Sequence, residues 1–170
     1  MKITSETLWL SFEPMLKCLN EEQIDKIKKA APEAVLGAGG FYSLTIHQWN
    51  RLTTHNDLSV ISDNLFEPLK CNVFEYYTLE MLPQFIDDYC KQLERFTLKP
   101  DANEQAAQQV CFKVSATEGL LLFAREYFGL HSFAEAENVT LGELLLAKKD
   151  AYNKAAFQKA YSKLLNKPKK

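Results

Sequence analysis

An all-α protein, an irregular bundle of about seven or eight helices, is the fold this sequence predicts. Three observations carry that reading. Capping boxes recur along the chain, apolar residues repeat at spacings of three and four, and runs of β-branched residues are few. In a capping box, Ser, Thr, Asp or Asn at the N-cap and Glu or Gln three residues on each accept a hydrogen bond from the other's backbone N–H. The pattern stands at Asn20…Gln23, Thr45…Gln48, Ser115…Glu118, Ser132…Glu135 and Thr140…Glu143.

Taken in order, Pro14 suits the first turn of a helix beginning near Phe12. The alternation of Leu8, Leu10 and Phe12 leaves a short strand as the alternative there, and residues 3–12 and 35–46 are the two places for a hairpin. Glu21–Ala30 reads as a helix with Glu22/Lys26 and Asp25/Lys29 pairs, which Pro32 should end. Gly37, Gly39 and Gly40 mark a loop. Thr45–Thr53 and Asp57–Leu69 follow as helices. Leu79, Leu82, Ile86, Tyr89, Leu93 and Phe96 then form the longest apolar stripe, with Pro83 expected in its first turn. Lys99-Pro100-Asp101-Ala102-Asn103 is the clearest turn. It separates an N-terminal helical part, 1–98, from a C-terminal part, 104–165, packed on it as one domain, with 166–170 a basic tail. Glu118–Phe128 is apolar almost all round, Gly129 caps it, and Thr140 opens the last long helix. The expected core is Leu82, Ile86, Tyr89, Leu93, Leu121, Phe123 and Phe128.

Composition bounds the function classes. At 46% hydrophobic and 25% charged, the 170 residues match a globular domain able to build a core unaided. No apolar run approaches the roughly 20 residues that span a bilayer, and the N-terminal residues lack a basic-then-apolar leader, so the expected compartment is the cytoplasm. Cys18, Cys71, Cys90 and Cys111 contain no C-x-x-C and read as reduced, partly buried thiols. His47, His55 and His131 have no companion at ligand spacing, so neither a metal nor another cofactor is expected. Gly37–Gly40 lacks the following Lys-Ser/Thr of a phosphate loop, and Asp87-Asp88 and Glu135/Glu137 read as solvated faces. His47-Gln48-Trp49-Asn50-Arg51 has groups that contact nucleic acid, but its spacing turns Trp49 inward. With no catalytic motif present, the protein reads as non-enzymatic. A site assembled from distant residues is the one remaining route to catalysis.

Charge is distributed unevenly. Residues 148–170 carry eight lysines against Asp150 alone, a balance of +7 within a chain whose total is −2, so the rest carries −9. The last helix also divides its apolar residues. Leu141, Leu144, Leu145, Tyr152 and Ala155 share one face; Phe157, Tyr161 and Leu164 share roughly the opposite one with Leu146, while Lys159 and Lys163 continue the first. One straight helix cannot bury both stripes in the same body. Either it bends near Asn153–Ala156, or Phe157, Tyr161 and Leu164, flanked by Lys159 and Lys163, bind a protein partner or a second copy.

The stretch from Phe128 to Ala147 pairs an aromatic–Gly–apolar step, Phe128-Gly129-Leu130, with a Thr140-led helix continuing Leu141-Gly142-Glu143-Leu144-Leu145-Leu146. It resembles small helical phage tail proteins, tail assembly chaperones in particular. That resemblance implies a small cytoplasmic protein that binds tail-tube or tape-measure subunits during assembly, and it assigns no individual binding residue. The runner-up is a nucleic-acid-associated accessory protein using the Lys-rich end, which the acidic remainder of the chain opposes.

Overall fold

The computed structural model describes residues 3–4, 6–62, 71–97 and 116–165, with side chains from 119 onward in the last stretch. Its described residues form seven α-helices joined by 3₁₀ turns. The helices are α1 (Trp9–Phe12), α2 (Glu21–Leu36), α3 (Ile46–His55), α4 (Val73–Arg95), α5 (Ala116–Phe128), α6 (Phe133–Glu137) and α7 (Leu141–Leu165). The protein is therefore an all-α, multi-helix fold. Among the described residues no strand forms. The two places where a hairpin was the alternative contribute one isolated antiparallel bridge each, Leu8 with Asn72 and Thr45 with Thr140. The chain divides into two compact units, one of Met1–Asp88 with Thr140–Gly142, the other of Tyr89–Val139 with Glu143–Lys170. The division falls inside α4, and the turn at 99–103 and the tail 166–170 lie outside the described residues.

In the first unit, α1 leads into a 3₁₀ turn, Glu13–Cys18, with Pro14 at its start, where a missing N–H costs nothing. The Asn20 box then opens α2: Gln23 N donates to Asn20 Oδ1 at 2.9 Å, and Asn20 N to Gln23 Oε1 at 3.0 Å. Ile24, Ile27 and Ala31 turn the inner face of α2 onto a core cluster with Phe12, Val73 and Tyr77. Pro32 does not end this helix. It sits inside α2, buried, and the helix runs on to Leu36, where Gly37 at φ +86° closes it with an N–H bond to Glu33 at 3.0 Å. A proline removes one hydrogen bond from the ladder, and here its ring is used in packing: a Cβ on Gly40 would stand 3.1 Å from Pro32 Cβ.

The Thr45 box opens α3, with Gln48 N donating to Thr45 Oγ1 at 3.2 Å. Asn56, left-handed at φ 51°, ends α3, and Asp57 N donates to Arg51 O at 3.0 Å. The helix expected over 57–69 is not there at its start. Asp57 is held by Arg51 and by Ser59, so the chain makes only a 3₁₀ turn at Leu58–Val60, and residues 63–70 lie outside the described residues. A box that the expectation lacked opens α4: Glu75 N donates to Asn72 Oδ1 and Asn72 N to Glu75 Oε2, both at 2.9 Å. Starting at Val73 puts Pro83 in the interior of α4 rather than in its first turn. Phe85, further along α4, is stacked on Phe41 at 4.6 Å and met edge-on by Tyr42 and Trp49.

The start of α7 belongs to this unit. Leu141 N donates to Leu44 O at 2.8 Å, and a Cβ on Gly142 would approach Tyr42 O to 3.3 Å. Leu44–Trp49 and Val139–Leu144, which share an apolar–Thr–apolar pattern in the sequence, thus meet at the Thr45–Thr140 bridge.

In the second unit, α5 ends at Gly129, φ +66°, as its position predicts, with Gly129 N donating to Arg125 O at 3.2 Å. Ser132 and Glu135 make the box that opens α6. Phe123 and Tyr127 of α5 are stacked at 4.6 Å and face α7, with Lys148 over the Phe123 ring and Lys154 over that of Tyr127. Of the seven residues expected in the core, Leu82 and Tyr89 are buried. Ile86, Leu93, Leu121, Phe123 and Phe128 are only half-buried, and Ala124, small enough for close helix approach, is buried among the described side chains of α5.

Candidate interaction surface

Helix α7 runs unbroken from Leu141 to Leu165, so its two apolar stripes keep the separation that helical geometry gives them. The first stripe is used within the chain: Leu141 is buried, Leu144 and Leu145 are half-buried, and Tyr152 meets Phe96 edge-on at 6.0 Å. The second stripe is not covered. Phe157, Tyr161, Leu164 and Leu165 are between 53% and 69% exposed, and Leu146 stands out from the proximal half in the same way. The rings of Phe157 and Tyr161 lie 6.1 Å apart and nearly parallel, 9° between planes, which makes one continuous apolar face of two successive turns.

In the turns before it, Asp150 and Lys154 lie in line with this face. Lys163 is exposed and Lys159 half-buried, and both lie round the helix from Phe157, Tyr161 and Leu164, on the continuation of the first stripe. Lys154 pairs with Asp150 at 2.6 Å, and that carboxylate, through its hydrogen bond first and its charge second, raises the lysine's pKa, so the ammonium is firmly charged. The structure thus brings Phe157, Tyr161 and Leu164 onto one exposed face and adds Leu165, while Lys159 and Lys163 stand on the other side of the helix.

A second set of exposed apolar residues lies in the first unit and was not singled out from the sequence. Trp9 stacks on Tyr76 at 3.6 Å, and Leu8, Leu10 and Tyr76 are 43%, 46% and 38% exposed. Exposed Glu6 precedes α1 in the chain and exposed Glu13 follows it. In sequence, Leu8 and Leu10 register only as an alternation, and nothing there places Tyr76 against their neighbour Trp9.

Clefts open among the described residues, and two of them bear on the candidate groups. One of about 200 Å³ is lined by Ala34, Val35, Ile61, Asn72, Phe74 and Glu75. Beside it lies the buried Cys71, whose thiol is pushed up to about 11 by burial first and by the Glu75 carboxylate second. Such a thiol stays protonated at neutral pH and is a poor nucleophile. Cys18 and Cys90, expected to be partly buried, are exposed, because they fall on outer faces of their turn and helix. The other cleft, about 300 Å³, is lined by Phe128, Leu130, Glu135, Asn138, Val139 and Glu143. Its Glu135 is committed to the N-terminus of α6: the N–H of His131, then that of Ser132, donates to the carboxylate and holds its pKa below the usual value.

The remaining sequence candidates have local structural employment. Trp49 packs edge-on to Phe85, and Arg51 bonds Asp57 through Nε and Nη2 at 2.9 and 2.6 Å. Gly37 and Gly39 supply positive φ to a tight turn. Among the described residues no group of three or more His, Cys, Asp or Glu is placed to hold a metal ion, and no helix is long and apolar enough to cross a membrane. Comparison with protein-family models, with curated proteins and with solved structures gives no match.

Proposed function

We propose that this is a non-enzymatic interaction protein, and that it docks through the distal half of α7 onto a protein partner whose receiving surface is apolar and edged with acidic groups. The observation that carries this reading is the exposed face of Phe157, Tyr161, Leu164 and Leu165 on a helix whose other stripe is already used. Covering such side chains contributes roughly 1.5–3 kcal/mol each, more than a folded chain ordinarily leaves in water along one helix. The basic segment that carries the face, +7 over residues 148–170, selects the sign of the partner's charge. A more specific form of the reading follows from the resemblance over 128–147: the partner is a structural subunit of a phage tail, held by this protein in the cytoplasm during assembly.

The test is a photo-crosslinking amino acid placed at Tyr161 in cells. A discrete protein adduct that disappears when Phe157 and Leu164 are both changed to Ser supports the reading, and its mass and sequence identify the partner. Absence of any protein adduct overturns it. Adducts to nucleic acid instead, lost as salt rises, would favour the Lys-rich end as a phosphate contact.

A further inference from the structure

Resting on the docking reading above, the partner itself can be inferred, because the exposed face of α7 extends beyond its distal half. Leu146, Asp150, Lys154, Phe157, Tyr161 and Leu165 follow one another at intervals of 4, 4, 3, 4 and 4 residues. On a helix all six fall within an arc of about 100°, and all six are more than half exposed. We propose that this face pairs with the same face of a second copy, the two α7 helices running antiparallel about a two-fold axis.

The spacing chooses the occupant. It reads the same from either end, so an antiparallel copy sets Leu146 against Leu165, Asp150 against Tyr161 and Lys154 against Phe157, each pairing made twice by the symmetry. Every pairing is chemically matched. Two leucines meet at each end of the contact. The Tyr161 phenol of one copy donates to the Asp150 carboxylate of the other, which already holds its own Lys154 through Oδ2 at 2.6 Å. With its ammonium held by that carboxylate, Lys154 lays its methylene stem over the Phe157 ring. A parallel pair would instead set Asp150 against Asp150 and Lys154 against Lys154, with the helix dipoles aligned. Glu143 and Asp150, exposed before and after Leu146, are the acidic groups that the docking reading asks of the receiving surface. Intervals of 4, 4 and 3 repeat every eleven residues and keep close to the period of the helix itself, so the faces stay together over roughly 29 Å. Lys159 and Lys163, round the helix from this face, do not confront each other across the contact. Covering six such side chains on each copy buries on the order of 1,000 Å² in total, the size at which specific contacts begin to hold in solution.

Sedimentation velocity of the full chain over roughly 1 µM to 1 mM should show the mass rising to twice that of the monomer and stopping there, because a two-fold contact leaves neither face open. Tyr161→Asp, which turns one carboxylate onto another, should stay monomeric over the same range with an unchanged melting temperature. The register is read with L146C/L165C in a chain whose Cys18, Cys90 and Cys111 are changed to Ser. Those two positions stand roughly 29 Å apart along one helix, too far for a disulfide within a chain. Mild oxidation should therefore link two copies of the double variant, and neither L146C nor L165C alone should be linked. A wild-type chain that is monomeric throughout, that grows past a dimer, or that dimerises while L146C/L165C forms no covalent dimer overturns the inference. If self-pairing fails and the Tyr161 crosslink in cells finds a different protein, the docking reading stands. A crosslink to this chain itself supports both readings, and if that crosslink finds no protein the docking reading fails too.

Discussion

Leu141 and Leu164 belong to the same helix, yet one is fully buried and the other 64% exposed. The first is clamped by its own backbone: its N–H reaches Leu44 O, and the neighbouring Gly142 lets the chain pass close to Tyr42. The second stands on the exposed stripe of the distal half. A helix, once nucleated and held at one end, continues for as long as its residues favour the conformation, whether or not anything packs against it. Ala, Lys, Leu and Gln dominate the distal half, and all are good helix formers. The proximal half is thus a tertiary element, and the distal half is an extension that offers a surface.

Substitution should separate the halves sharply. Leu141→Ala is expected to cost on the order of 2–5 kcal/mol in a denaturant melt, whereas Leu164→Ala should stay within about 0.5 kcal/mol. A comparable cost at both would mean that the distal stripe packs in the chain's own core. The cysteines sharpen the same contrast between buried and exposed positions. At pH 8 an alkylating reagent should modify Cys18 and Cys90 while Cys71, raised from 9.0 to about 11, reacts about 100-fold more slowly or not at all. The sign of the accompanying stability change is fixed. The native state holds the proton more tightly than the unfolded chain does. The Cys71 contribution is therefore intact below the unfolded value near 9 and is lost as the pH rises through about 11. Equal labelling of Cys71 and Cys18 in the native protein at pH 8 would contradict its burial.

Smaller effects follow. Asn72→Ala removes the acceptor of the Glu75 N–H at the start of α4 and should cost about 0.5–2 kcal/mol. Leu93→Ala, at a half-buried position, should cost about 1 kcal/mol, below what a fully buried leucine loses. Smallest of all, removing residues 157–170 should leave the melting temperature of the monomer nearly unchanged. A drop of several degrees would show that the distal half supports the fold after all.

What was legible in the sequence divides along the same line, between local and tertiary causes. The boxes at Asn20, Thr45 and Ser132 and the stop at Gly129 were readable because each is completed within a few residues. The opposed stripes of α7 were readable because helical geometry fixes them without reference to anything else. Pro32 and Pro83 were misplaced for the complementary reason. A proline's cost is visible locally, but the packing of Pro32 on Gly40 and the early start of α4 at Asn72–Glu75 are not. The stripe through α4 showed which residues share a face, not how deeply that face is covered, so Ile86 and Leu93 were expected deeper than they lie. The Trp9–Tyr76 stack joins residues far apart along the chain, and no local pattern announces that.

The bridge between Thr45 and Thr140 sets a schedule for the newborn chain. Residues up to Asp88 leave the ribosome well before Leu141 does, and the unit they form takes its last members, Thr140–Gly142, from beyond the whole intervening segment. At cellular elongation rates the delay is roughly 3–10 s. Throughout it Leu44 O lacks the N–H of Leu141, and the place that Leu141 fills stands empty. The N-terminal unit cannot finish as a separate, early-folding piece; it waits for the other unit to be made, and a message truncated before codon 140 would yield a product missing its final strap.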